Sequence, residues 1–315
     1  RDLHYPLRRQ RQMCIRDSAL RTTLDENLKM IYDSVGFLRS RKLDVIYDAE
    51  HFFDGFKANK EYAIATLREA ARAGAFNITL CDTNGGTLPG ELAQIIKAVK
   101  KELSLSCSLG IHAHNDSECA VANSLVAVDC GIELVQGTIN GLGERCGNAN
   151  LCSIIPAIRY KQKKECLPEG KIQLLTELSH YVDEVLNRMP DETQPYVGRN
   201  TFAHKGGIHV SAMERHTKTY EHINPVLVGN TRKFLVSELS GKSNVVAKIK
   251  ELKISGGLSD EHLRKITEII KRRESLGYQY EDADGSFAVV VYKALGKHKP
   301  FFNLKSYRCL LYTSP

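Results

Sequence analysis

From Thr22 onward, apolar positions recur in two alternating rhythms. In TLDENLKMIYDSVGFLRSRK, Leu24, Leu28, Ile31, Val35 and Leu38 fall three and four apart, which predicts an amphipathic helix capped by Thr22 or Thr23. DVIYDA then reads as a short strand, EYAIATLREAARAG as a helix closed by Gly74, and FNITLCDT as a second strand. The segments LPGELAQIIKAVKKEL, SCSLGIHAH, ECAVANSLVAVDCG, ELVQGTING and NLCSIIPAIRYKQK continue helix, strand, helix, strand, helix. Strands alternating with helices of this length imply a parallel sheet with helical crossovers.

Beyond Lys164 the rhythm changes. A long helix is expected over IQLLTELSHYVDEVLNRM, followed by the Gly- and His-rich VGRNTFAHKGGIHVSAMERHTKTYEHINP. Two further helices (NVVAKIKEL and DEHLRKITEIIKRRESLG) and a strand-like SFAVVVYKAL complete a second, smaller region. The first 18 residues show neither period, and MCIRDS near the start and CLLYTSP at the end read as sequencing read-through. The division expected from sequence is therefore 1–18 and 309–315 as non-native ends, 19–164 as the sheet-bearing region and 165–308 as the mostly helical one.

Polar residues of chemical interest follow the strand segments: Glu50, Asp82 and Thr83, His112 and His114, then Glu144 to Asn148. Clustering at strand C-termini is the habit of a (β/α)8 barrel, but an open flavodoxin-like sheet does the same, and alternation alone leaves both open. His112 and His114, two apart on a strand, project to one face and suit one divalent cation, Mg, Mn, Co or Zn, with Asn115 and Asp116 expected to orient them. Asn148 offers an amide oxygen to the same cation, Thr83 a hydroxyl for a carboxylate, and Glu50 an acid or base. His204 and His209 flank a Gly-Gly pair, with Tyr220 eleven residues beyond His209. Taken singly, each has a plainer reading: a solvated glutamate, an ordinary turn, a structural loop histidine.

Charge and cysteine content narrow the classes. The formal charge of +7 comes partly from the first 18 residues, with five Arg against two Asp, and elsewhere Lys and Arg mingle with Asp and Glu, which argues against a nucleic-acid surface. No apolar run reaches the ~18 residues of a membrane span, and no signal peptide is legible, so a cytoplasmic address is expected. Nine cysteines without a C-x-x-C pair fit reduced thiols.

Together, YDAEHFFDGFKAN, LCDTNGGTLP, LGIHAHND, NGLGERCGN, FAHKGGIHVSA and GYQYEDADGSF resemble the isopropylmalate, homocitrate and citramalate synthases, in the family's motif order from about residue 19 to 308. YDAEHFFDG and GYQYEDADGSF are most similar to the citramalate branch. The resemblance implies the C-terminal half of a (β/α)8 TIM barrel, about four parallel strands, followed by a smaller, mostly helical linker region. It implies a metal-dependent acyltransferase condensing acetyl-CoA with a 2-oxo acid, pyruvate giving (R)-citramalate on a route to isoleucine, in a homodimer. His112, His114 and Asn148 would then bind the metal, and Thr83 the oxo-acid carboxylate, with His204 in a substrate-binding motif. Glu50, His209 and Tyr220 would form the acid-base group, His209 and Tyr220 coming from the partner subunit. The family's LRDGEQ-like first-strand motif, source of an Arg for substrate and an Asp for metal, is absent from this sequence, so the chain is expected to display a site it does not complete, and to be inactive alone. A lyase similar to hydroxymethylglutaryl-CoA lyase and a basic binding module are the more distant alternatives.

Overall fold

The computed structural model describes residues 22–103, 107–204, 212, 216, 219–234, 242–254, 257–280, 283–303, 305, 306 and 308. The chain divides into two compact units, the first comprising residues 1–198 and 226–230, the second residues 199–225 and 231–315.

In the first unit, α1 (Leu24–Ser40) is capped by Thr23, whose side chain accepts from the Glu26 amide, and buries Ile31 and Val35. β1 (Ile46–Ala49), β2 (Asn77–Asp82), β3 (Ser108–Ala113) and β4 (Leu134–Gln136) form a wholly parallel sheet in sequential order. The crossovers are α2 (Phe52–Ala58) with α3 (Lys60–Arg72), then α4 (Pro89–Glu102), then α5 (Ala120–Asp129). Each follows from a local signal: Asn59 caps α3, Pro89 opens α4 at its first position, and Gly74 and Gly131 follow helix ends with positive φ. α2 escaped the sequence reading because it is only seven residues long, yet its Phe52 and Phe53 are fully buried in the main core.

That core lies between the helices and one sheet face, where Tyr47, Ala49, Ile78, Leu80, Leu109 and Ile111 meet Ile64, Leu67, Leu92 and Ile96. The opposite face is polar, with Asp48 on β1, Asn77 and Thr79 on β2, Ser108 and His112 on β3 and Gln136 on β4. Because side chains alternate along a strand, an apolar face toward the helices leaves the other positions free to carry chemistry.

α6 (Leu151–Tyr160) and α7 (Leu175–Val185) complete the unit. The long helix expected over IQLLTELSHYVDEVLNRM is shorter: a 3-10 turn at Lys171–Leu174 precedes α7, which ends where Asn187 adopts a left-handed φ of 51°. Asn tolerates that conformation, the Arg188 amide closes back onto the Asp183 carbonyl at 2.9 Å, and Pro190 follows.

The second unit holds a short parallel pair, β5 (Ala203–His204) with β6 (Lys233–Phe234), and three helices among the described residues, α8 (Lys242–Glu251), α9 (Asp260–Glu274) and α10 (Asp284–Ala294). SFAVVVYKAL, expected as a strand, is α10. Phe287, Val290 and Val291 are three and four apart and share a core with Ile266, Ile270 and Val245, whereas Val289 is 39% exposed. A consecutive valine run fits either period, and the packing partner decides which is used.

Candidate active site

Parallel order brings the C-terminal ends of all four strands to one edge, so Glu50, Thr83, His112, His114 and Gln136 gather there although the first and last lie 86 positions apart in sequence. The two imidazoles share a face as expected, their ring centroids 5.1 Å apart. His112 Nδ1 lies 2.8 Å from Gln136 Oε1. His114 pairs through its backbone with Asn148 in an antiparallel bridge.

At that bridge two buried polar atoms, the His114 ring nitrogen Nδ1 and the acceptor Asn148 Oδ1, have no hydrogen-bond partner among the described residues. The Asn148 amide is oriented by its own bond, since Nδ2 donates to the Leu142 carbonyl at 3.0 Å and a carbonyl can only accept, which turns Oδ1 the other way. An unsatisfied buried polar atom costs about 1–3 kcal/mol, and two of them on bridge-paired residues beside a second imidazole fit a divalent cation. Burial, reinforced by the His112 and Arg145 charges, lowers the His114 pKa against the opposing pull of Asp116 and Glu144. The neutral imidazole so favoured is the form that binds metal.

Thr83 sits in a half-buried turn where its Oγ1 accepts the His51 amide at 2.6 Å. Its hydroxyl proton is thereby left to donate. Asp82, one residue earlier, is buried and turned to the helical side, where it accepts from Thr87 N and Oγ1. Burial raises its pKa and the Thr87 bonds offset only part of that. Glu50 follows β1 directly and is half-buried. Burial, with the charges of Asp48, Glu50 and Asp82, pushes the Cys81 thiol well above its usual range. Cys81 is the register partner of His112, so the Glu50 charge is felt at the site edge.

Asn115 and Asp116 do not orient the imidazoles. Asn115 Oδ1 accepts the Ala120 amide, tying the loop to the start of α5, and Asp116 is clamped by Arg145, whose Nη2 also donates to the Thr83 carbonyl at 2.7 Å. Arg145 thus joins the loops after β2, β3 and β4. No local signal in GERCGN reveals this, because its partners lie 29 and 62 residues away. Gln136, which does hold His112, carries no sequence signal of that role, since it reads as an ordinary polar residue of a strand ending in QGT. Glycines make the loops' close approach possible: a Cβ on Gly85 (φ +63°) would lie 2.6 Å from Asp116 Oδ2, and one on Gly143 would collide with the Asn148 amide.

In the second unit, His204 is buried and its Nε2 lies 3.2 Å from Glu221 Oε1, while Arg232 holds both Glu221 oxygens at 2.6 and 2.5 Å. Burial raises the Glu221 pKa, but the bonds and charges of Arg232 and His204 outweigh it, and the carboxyl ends below its ordinary range. Tyr220 is 47% exposed. His209 lies outside the described residues. Among the described residues no three His, Cys, Asp or Glu side chains converge, so the donors a cation could meet there are two imidazoles and an amide. The seven described cysteines are free; Cys81 and Cys152 are buried, as reduced thiols in apolar runs should be, but Cys146 and Cys166 are exposed. No described helix is long and apolar enough to cross a membrane.

Residues 12–182 match the HMGL-like family model: the chain belongs to the HMGL-like family, and its parallel sheet, with the two histidines at the end of β3, is part of a TIM barrel. Residues 196–278 match the homocitrate synthase post-HMGL domain-like model. Within that family the chain is 54% identical to the (R)-citramalate synthase of Geobacter sulfurreducens over 93% of its own length and 50% identical to that of Aquifex aeolicus over 93%. It is 36% identical to a 2-isopropylmalate synthase of Methanocaldococcus jannaschii over 82%, covering 48% of that protein. The chain spans 55% of the length of each of the two citramalate synthases.

Proposed function

We propose that this chain carries the metal- and oxo-acid-binding part of an enzyme that condenses acetyl-CoA with pyruvate to give (R)-citramalate and free CoA. The observation that carries the reading is the pair of buried polar atoms without a partner among the described residues, His114 Nδ1 and Asn148 Oδ1, beside the His112 ring. Similarity to (R)-citramalate synthases along nearly all of this chain supplies the substrates.

A divalent cation, Mg, Mn, Co or Zn, would be held by His112, His114 and Asn148, and when bound supplies Lewis acidity at the 2-oxo carbonyl. Thr83 donates a hydrogen bond from its hydroxyl to the pyruvate carboxylate, and Arg145 keeps the loops after β2, β3 and β4 in register. His209 accepts a proton from the acetyl methyl group, with Glu50 and Tyr220 serving the same acid-base group and His204 serving substrate binding. The carbanion formed adds to the ketone, and water then cleaves the thioester. The working enzyme is a homodimer in the cytoplasm, in which His209 and Tyr220 serve the partner's site; residues 19–164 belong to the barrel and 165–308 to the linker region.

The 2-isopropylmalate synthase relative keeps a second acceptor in view, 2-oxoisovalerate. The test is release of CoA thiol from acetyl-CoA by a full-length protein containing this chain, with pyruvate, 2-oxoisovalerate or 2-oxoglutarate as acceptor. Pyruvate-dependent release abolished by chelation is expected. Preference for another acceptor overturns the assignment of substrate, and undiminished release after complete metal removal overturns the metal assignment.

A further inference from the structure

The polar face of the sheet carries one uninterrupted hydrogen-bond chain across all four strands. Ser108 Oγ reaches the Phe76 carbonyl at 3.4 Å and accepts from Asn77 Nδ2 at 2.8 Å. Asn77 Oδ1 accepts from Thr79 Oγ1 at 2.8 Å, and Thr79 Oγ1 in turn accepts from Gln136 Nε2 at 3.3 Å. Gln136 Nε2 also donates to Asp48 Oδ1 at 2.8 Å, and Gln136 Oε1 faces His112 Nδ1.

The direction of each bond is fixed at its ends. The Phe76 carbonyl can only accept, so the Ser108 proton is committed, Asn77 must present its NH2 to Ser108 and its oxygen to Thr79, and the Thr79 proton is committed in turn. Thr79 then has only a lone pair for Gln136, and the Asp48 carboxylate likewise only accepts. Two independent acceptors therefore require the Gln136 NH2 on their side, and its oxygen must face His112. An amide oxygen cannot donate, so the proton of a neutral His112 must sit on Nδ1.

We propose that Gln136, oriented by Asp48 and Thr79, is a positioning residue that locks His112 as its Nδ1–H tautomer and leaves Nε2 as the nitrogen with a lone pair for the cation. Gly110 of β3 belongs to the same device: it is the register partner of Thr79, and a Cβ there would lie 2.5 Å from Thr79 Oγ1 and 2.8 Å from Asn77 Oδ1, breaking the chain in the middle. The tautomer follows from protein groups alone, while its use in binding rests on the metal reading above.

The experiment is a 15N-detected histidine spectrum of the labelled full chain without metal, paired with Zn2+ titration by calorimetry. Wild-type His112 should show a pyrrole-type Nδ1 and a pyridine-type Nε2. Gln136→Leu should lose that signature and bind Zn2+ some 10- to 100-fold more weakly, the range expected when a ligand's orienting partner is removed. A carboxylate at 136 still accepts from Nδ1–H, so the double variant Asp48→Asn with Gln136→Glu, which restores a donor opposite it, should recover both the signature and the affinity. The double variant also guards against reading misfolding of Gln136→Leu as support. An Nε2–H tautomer in the wild type, or Gln136→Leu with signature and affinity unchanged, overturns the proposal. An Nδ1–H tautomer in a wild-type chain that binds no Zn2+ upholds the tautomer lock and overturns the metal reading instead.

Discussion

Arg145 holds Asp116 by two parallel bonds, Nε to Oδ1 at 2.7 Å and Nη2 to Oδ2 at 2.9 Å, and so links the loop after β4 to the loop after β3. The guanidinium beside it holds the Asp116 carboxyl below its usual range. The pair is solvent-exposed, with side-chain exposures of 42% and 25%, so its contribution to folding should be small, about 0–1 kcal/mol. Its third bond, to the Thr83 carbonyl, matters more for function. Arg145→Met should leave thermal unfolding nearly unchanged and weaken pyruvate binding to the metal-loaded protein several-fold, measured by calorimetry. A large drop in melting temperature with unchanged pyruvate affinity would assign Arg145 to stability alone.

Metal binding should appear as stability. A cation that binds only the folded state stabilises it by RT ln(1 + [L]/Kd), about 2.7 kcal/mol at a hundredfold excess over Kd. The wild-type melting temperature should therefore rise with Mn2+ or Zn2+, read by scanning calorimetry with and without chelator. In Asn148→Leu the orphaned oxygen is gone together with the Leu142 bond, so the metal-free protein should melt near the wild-type temperature but respond much less to metal. His114→Ala should abolish most of the response.

Acid should weaken the second unit through Glu221. Its carboxyl titrates lower when folded than when unfolded, so the stability it contributes is fully present above the unfolded carboxylate pKa, about 4.3, and is lost as pH falls through the lower folded value. Glu221→Gln should lower stability at neutral pH and flatten the acid limb of a denaturation profile recorded from pH 6 downward. An acid limb as steep as in the wild type would move the responsible carboxylate elsewhere.

The helix at Asp284–Ala294 can be tested by valine truncation. In a strand, Val289 and Val291 would share the buried face with Phe287; in the helix, Val290 and Val291 do, and Val289 points outward. Val290→Ala should cost on the order of 2 kcal/mol and Val289→Ala well under 1 kcal/mol, by urea denaturation. The reverse ranking would restore the strand.

For His209, a general base contributes typically about 10²–10⁴-fold in rate. His209→Ala in the full-length protein should lower kcat by that order with little change in pyruvate affinity. Equal losses in both would make it a structural residue.

Much of this protein was written in local patterns. Periods of two and of three to four marked the four strands and the longer helices between them, though not the seven-residue α2; Thr23 and Gly74 marked where helices begin or end; and the two-residue spacing of His112 and His114 put both rings on one face. These are relationships among neighbours in sequence, for which the backbone geometry is set in advance. The arrangement of SFAVVVYKAL, the early end of α7, the Arg145 clamp and the use of Asn115 and Asp116 depended on what lay opposite, and sequence reasoning missed each of them. Gln136 is the sharpest case. It is a polar residue at a strand end like many others, and only the parallel register of the sheet, which places Asp48 from 88 residues away against its NH2 and His112 against its oxygen, gives it one permissible orientation. A strand's own sequence sets which face a side chain occupies, but its hydrogen-bond partners come from the neighbouring strands, and tertiary structure alone decides which those are.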